Sequence, residues 1–455
     1  LTTTQIPGLT TAQVAVIETG DIAALTTEQI GALTTTQIRA GLGTDQIIAL
    51  STDQIFALNT MQVHDGLNTE QIVALSTSQI AALRTDQINA LSTEQVSVIE
   101  TADIAALTTD QAAALTTMQI QAGLSTDQLM ALTTDQVAAL TTTQVRGGLS
   151  SAQVMALTTD QIRALTTGQL GALTTAQVSV IETADIAALT TDQVVALTTA
   201  QVQAGFGTDQ VIALTSEQLQ VMTTAQLRAL TTEQVSVIET ADIVALTTDQ
   251  VGALTTRQIQ AGLSTDQLMA LTTDQVVALT TAQVQGGFGT DQVIALTSDQ
   301  LQVMTTAQLR ALTTEQVSVI ETADIAVLTT DQEGALTTVL TQAGMSTDQL
   351  MALTTDQVAA LTTTQVRGGL SSAQVMALTT DQIRALTTGQ LGALTTAQVS
   401  VIETADIAAL TTDQVVALTT AQIRNALTLD QLASLTTDQI AAMTTAQVQK
   451  GLSVD

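Results

Sequence analysis

The chain has no cysteine, tryptophan or tyrosine, and only one histidine (His64), one proline (Pro7) and three phenylalanines among 455 residues. Without Cys and with a single His, there is no disulfide frame, thiolate zinc site, cysteine nucleophile or His pair. The near-absence of aromatics removes stacking platforms for bases and sugar rings. Cations are scarce as well. Eleven Lys and Arg stand against 42 Asp and Glu, a net charge of −31. Such a chain lacks the basic footprint a nucleic-acid partner requires. Long apolar runs are also missing, because Thr-Thr pairs interrupt them, so no segment reads as a membrane span. No nucleophile, base and orienting group can be assembled from what remains. The sequence reads as non-enzymatic and without a cofactor.

What is present is one motif, L-T-T-x-Q-[VI]-x-A, as in residues 189–196. From Leu1 the chain divides into 44 units of eight residues and 11 of nine, followed by residues 452–455. Position 5 is Gln in 48 of these 55 units, Asp in six, and Leu340 in one. No linker interrupts the register, so residues 1–455 read as a single continuous repeat array. The array starts on a repeat residue and stops inside a unit, which reads as a segment of a longer protein.

Each unit carries its own helix start. With the Thr of position 2 as N-cap, the Gln of position 5 is N3, and together they form a capping box. The Leu of position 1 and the Val or Ile of position 6 then sit where a hydrophobic staple forms. Asp or Glu at position 4 meets the positive end of the helix dipole, and eight of the 11 cations, Arg39 and Arg163 among them, fall at position 7 near the other end. Asp160–Arg163 and Asp381–Arg384 have helical i,i+3 spacing. A continuous helix is excluded, because over eight residues its apolar stripe drifts by about 80°. So short a helix is unstable alone in water and must stack on its neighbours. The expected fold class is therefore all-α: a solenoid of short capped helices, one per repeat unit. A β-solenoid is the alternative, but strand alternation puts positions 1 and 6 on opposite faces and leaves the Thr-x-x-Gln spacing unexplained.

The nine-residue units recur at steps of 25 or 57 residues, three or seven units. Ten of the 11 end in glycine, from Gly41 to Gly451, and one ends in Ala426. This rhythm predicts a fixed edge of the superhelix, about 3.3 units (about 27 residues) per turn, with the glycines as left-handed C-caps. One place breaks the pattern. Glu333 occupies a core position and Leu340-Thr341 replaces Gln-Val, which predicts either an opened core or a shifted register.

The repeated acids raise the question of calcium, which needs six to eight converging oxygens. Most of them are accounted for by the helix dipole. The least explained lie in the IETADI-type units, where Glu replaces the capping Thr and Asp replaces Gln: Glu18 and Asp21, Glu100 and Asp103, Glu182 and Asp185, Glu239 and Asp242, Glu321 and Asp324, Glu403 and Asp406. These pairs are the candidates for a cation or a neighbouring chain. The Thr ranks could match a crystal lattice, yet their hydroxyls already have capping partners. His64 reads as a surface variant, and Met130, Met155, Met269, Met351 and Met376 at position 7 read as groove padding.

The LTTxQ[VI]xA array resembles, over its whole length, the very large repetitive exoproteins of Gram-negative bacteria often labelled adhesins or "heme utilization or adhesion" proteins. That resemblance implies secretion and a role at the bacterial surface. The residues themselves offer one His and no Cys or Tyr as axial haem ligands. The sequence is therefore read as an extracellular structural fibre or adhesin stalk that self-associates or continues as the same repeat. The alternative is a repeat scaffold binding a protein, calcium or a lattice surface.

Overall fold

The computed structural model describes residues 1–452. The described residues form helices and turns with no strand among them, so the β-solenoid alternative falls. Contacts divide the chain into two compact units, Leu1–Leu230 and Thr231–Asp455.

Both are built from the same local event. Thr166 is extended (φ −66°, ψ 158°) and its hydroxyl accepts from the Gln169 N–H at 3.2 Å, while Gln169 Oε1 accepts from the Thr166 N–H at 2.7 Å. This reciprocal pair starts the helix Thr167–Ala172. The helix ends when the Leu173 N–H bonds back to Leu170 O at 3.2 Å and Leu173 turns extended (φ −55°, ψ 142°). The next Thr then caps the next helix. Positions 1 and 6 face the core, as Leu165 (2% exposed) and Leu170 (0%) show.

Within each compact unit every helix packs on the third helix along the chain. In the first, Thr11–Ala15 packs on Thr35–Gly41, which packs on Gln62–Gly66; in the second, Thr248–Ala253 packs on Thr273–Ala278, which packs on Ser298–Val303. The stacking step is thus three repeats, where 10/3 repeats per turn was expected, and it defines three columns of helices.

The nine-residue repeats are not confined to one column. In the first compact unit those starting at Leu33 and Leu58 share one column, those at Leu115 and Leu140 share a second, and that at Leu197 stands in the third. A fixed edge is unnecessary because the extra residue is absorbed at the end of its own helix. There the hydrogen bond widens to span five residues, as in Leu67 N–H to Gln62 O (3.1 Å), Phe206 N–H to Gln201 O (3.0 Å) and Met345 N–H to Leu340 O (3.0 Å).

The terminal glycines differ from expectation too. No described glycine has positive φ, so none is a left-handed cap. Their role is close approach. A Cβ on Gly205 would lie 3.0 Å from Val178 Cγ1, and one on Gly41 would lie 3.0 Å from Val14 Cβ, in each case the core residue three repeats earlier.

Candidate functional site

The chemistry that recurs through the chain is the buried glutamine of position 5. Gln169 is 2% exposed. Its Oε1 completes the capping box, and its Nε2 reaches the turn beneath, donating to Val137 O (2.8 Å), Ala138 O (3.2 Å) and Leu140 O (2.5 Å). Gln54 does the same toward Ile22 O (2.9 Å) and Leu25 O (2.7 Å), and Gln349 toward Val317 O (2.8 Å) and Ile320 O (2.7 Å). One amide therefore caps its own helix with its acceptor and ties two turns together with its donors. The carbonyl of position 1 lies outside the helical bonding pattern, and the rung supplies its donor. Sequence reasoning found the acceptor half and missed the donor half. The signal was available: a capping box accepts Glu as well as Gln, yet position 5 is never Glu. A carboxylate could cap but could not donate.

The IETADI-type units of Asp185, Asp324 and Asp406 reverse this polarity. Glu18, Glu100, Glu182, Glu239, Glu321 and Glu403 are exposed N-cap residues whose side chains make no capping bond. Their partners sit at N3. Asp103, Asp185, Asp324 and Asp406 are buried there, Asp242 is half-buried, and Asp21 is exposed. Asp185 Oδ1 accepts from Thr159 Oγ1 at 2.6 Å, Asp406 Oδ1 from Thr380 Oγ1 at 2.6 Å, and Asp324 Oδ1 from Ser298 Oγ at 2.5 Å. The donor in each case belongs to the stacked repeat three earlier. The shorter acid thus accepts from the turn beneath where Gln donates to it. Among the described residues no three Asp, Glu or His side chains come together as a metal site would need.

Position 7 carries a second link that the sequence did not reveal. Its polar side chains bond a helix-end carbonyl in the turn above: Asn89 Nδ2 donates to Ala114 O (3.2 Å) and Arg310 Nε to Ala335 O (2.9 Å). His64 belongs to this set, with Nδ1 2.6 Å from Ala90 O, although its side chain is 52% exposed. Among the described residues, Asp160–Arg163 and Asp381–Arg384 do not form ion pairs. The position-7 methionines are 43–54% exposed. An open groove of about 790 Å³ is lined by Thr60, Thr85, Asp86, Asn89, Ala113 and Leu115 among others, a mixed polar and apolar wall.

Glu333 shows neither expected outcome. The register holds and the core stays closed around it, with the side chain 0% exposed and neither carboxyl oxygen hydrogen-bonded. Burial pushes its pKa up to about 7. Leu340, at the next rung position, is buried and offers no amide, while Thr341 Oγ1 turns back to Thr337 O at 3.1 Å.

No described helix is long and apolar enough to cross a membrane. No curated protein matches the chain. One solved structure similar to part of it is the leucine-rich repeat-containing protein LegL7 from Legionella pneumophila. It is 10% identical and covers 54% of this chain and 83% of that one, with a TM-score of 0.14, too low to carry an argument. The family described as the ALTTAQ repeat matches residues 14–52, 65–93, 96–134, 147–175, 178–216, 213–248, 235–273, 303–338, 368–396 and 399–437. These stretches span well over half of the chain and include the Thr166–Gln169 capping box and rung described above, and the chain belongs to the ALTTAQ repeat family.

Proposed function

We propose that this chain is a non-catalytic structural array, an extracellular spacer or adhesin stalk at a bacterial surface. The observation that carries this reading is the interchangeability of the rungs. Gln54, Gln169 and Gln349 make the same bonds to the turn beneath although they lie far apart in sequence. An array of equivalent rungs gains length by adding repeats and depends on no single residue. The net charge of −31 keeps such an array soluble and opposes random bundling at low salt. About 1 M salt screens that repulsion and is expected to permit side-by-side association.

The test is to delete one 82-residue block, residues 124–205, from the native protein. Ten repeats at three per layer, with packed helices 8–10 Å apart, predict shortening by about 30 Å with surface display and adhesion intact. Electron microscopy of antibody-labelled cells reads the length. A scaffold binding a protein is the second reading. It draws on one observation: Val244, Met269 and Ile294 are 45%, 44% and 46% exposed on three helices that stack in one column. Loss of a specific ligand on Met269→Asp, with the length unchanged, favours that reading.

A further inference from the structure

The spacer reading leaves the buried carboxyl of Glu333 without a role. In the corresponding repeats, each following an IETADI-type unit, the position holds Ile30, Ala112, Val194, Val251 and Val415, all 0–1% exposed. Glu333 sits in the same place at 0% with both oxygens unpartnered. The next repeat then lacks its rung. Where Gln258 and Gln422 stand in the corresponding repeats, Leu340 has no side-chain amide to donate downward, so the carbonyls of Leu309 and Leu312 receive no rung bond, and Leu309 O keeps the Leu312 N–H at 3.2 Å. Thr341 replaces the aliphatic found there as Ile259 and Ile423. A polar core group and a missing tie between turns therefore fall in consecutive repeats.

No counter-charge meets the carboxyl. The helices packed on Thr330–Ala335 are Thr306–Ala311 and Thr355–Ala360. The first carries Arg310, exposed, with its Nε engaged by Ala335 O. The second carries Asp356, exposed, and the helix of Glu333 itself carries Asp331, also exposed. On the preceding repeat Glu321 is exposed and Asp324 is held by Ser298 Oγ. The following helix Leu340–Gly344 has no titratable side chain.

We propose that residues 328–345 form a proton-controlled opening point: with Glu333 neutral the turn stays closed, and with Glu333 ionised it opens locally, where the glutamine rung is missing. An unpaired carboxylate in an apolar core must either be hydrated or be expelled. The pKa of Glu333 is raised from 4.5 to about 7, so the closed form holds the proton more tightly than the open form. Below pH 4.5 both forms are protonated and the group is without effect. As pH rises from 4.5 to about 7 the closed form is progressively weakened, and above that the weakening is complete. A gap of two and a half pH units corresponds to about a 300-fold rise in the opening constant.

Hydrogen exchange on the 455-residue chain tests this. Protection of residues 328–345 is measured against the corresponding stretch 246–263 from pH 4.5 to 8, so that the intrinsic pH dependence of exchange cancels. Because the open form is already half ionised at pH 4.5, the relative opening constant is expected to rise about 150-fold over this range in the native chain and to stay flat in both Glu333→Val and Glu333→Gln. A flat ratio in the native chain, or a rise that survives in either variant, overturns the proposal.

Discussion

Replacing Gln169 by alanine is expected to lower the stability of the first compact unit by about 3–5 kcal/mol, far more than the loss of a helix cap, typically about 1 kcal/mol. The side chain is buried and serves the Thr166 N–H on one side and Val137 O and Leu140 O on the other. Truncation removes a bond from three backbone groups; Val137 O keeps the Leu140 N–H (3.2 Å), so the loss falls mainly on the Thr166 N–H and Leu140 O, at about 1–3 kcal/mol each. Gln169→Glu separates the two roles. Its carboxylate can still accept from the cap, but it cannot donate and it places charge among carbonyl oxygens, so at neutral pH the loss is expected to be at least as large. Urea unfolding followed by the helical circular dichroism signal reads both variants. A loss under about 1 kcal/mol for the alanine variant reduces Gln169 to a cap.

Gly205→Val is expected to destabilise by about 2–3 kcal/mol through overpacking. The glycine φ is not the reason. The new Cβ would sit 3.0 Å from Val178 Cγ1 and 3.4 Å from Thr175 O, before the two methyls are added. Gly207, two residues on, is the control. It is an N-cap without a side-chain bond, and a Cβ there meets nothing within 4 Å. Gly207→Ser supplies the missing capping oxygen and is expected to stabilise by a few tenths of a kcal/mol. Thermal melts of the two variants are expected to move in opposite directions.

The helix starts were legible because every term that sets them lies within one repeat. Thr166, Gln169, Leu165 and Leu170 announce cap, box and core by spacing alone. What links one turn to the next was not legible, because those partners lie 28–33 residues apart: Gln169 to Leu140, Gln71 to Ile38. The preference for Gln over Glu at position 5 encodes that link, but the capping box seemed sufficient to explain it. Gly205 was misread for a related reason. A glycine at a helix end suggests backbone handedness, whereas its constraint is Val178, 27 residues earlier. The acid pairs were the furthest from reach. Nothing local in IETADI shows that Asp185 accepts from Thr159. Glu333 was correctly seen as anomalous, but its surroundings keep both packing and register, and the strain passes to its protonation.

The central claim is that glutamine side chains, as donors, hold successive turns together. Exchange of the glutamine side-chain amide protons, followed by NMR on protein labelled at Gln Nε2, tests it without mutation. Gln121, Gln203 and Gln285 are exposed and serve as internal references. The rung amides, Gln54, Gln169 and Gln349 among them, are expected to exchange at least about a thousandfold more slowly than these references. Exchange of rung and reference amides at the same rate would contradict the account.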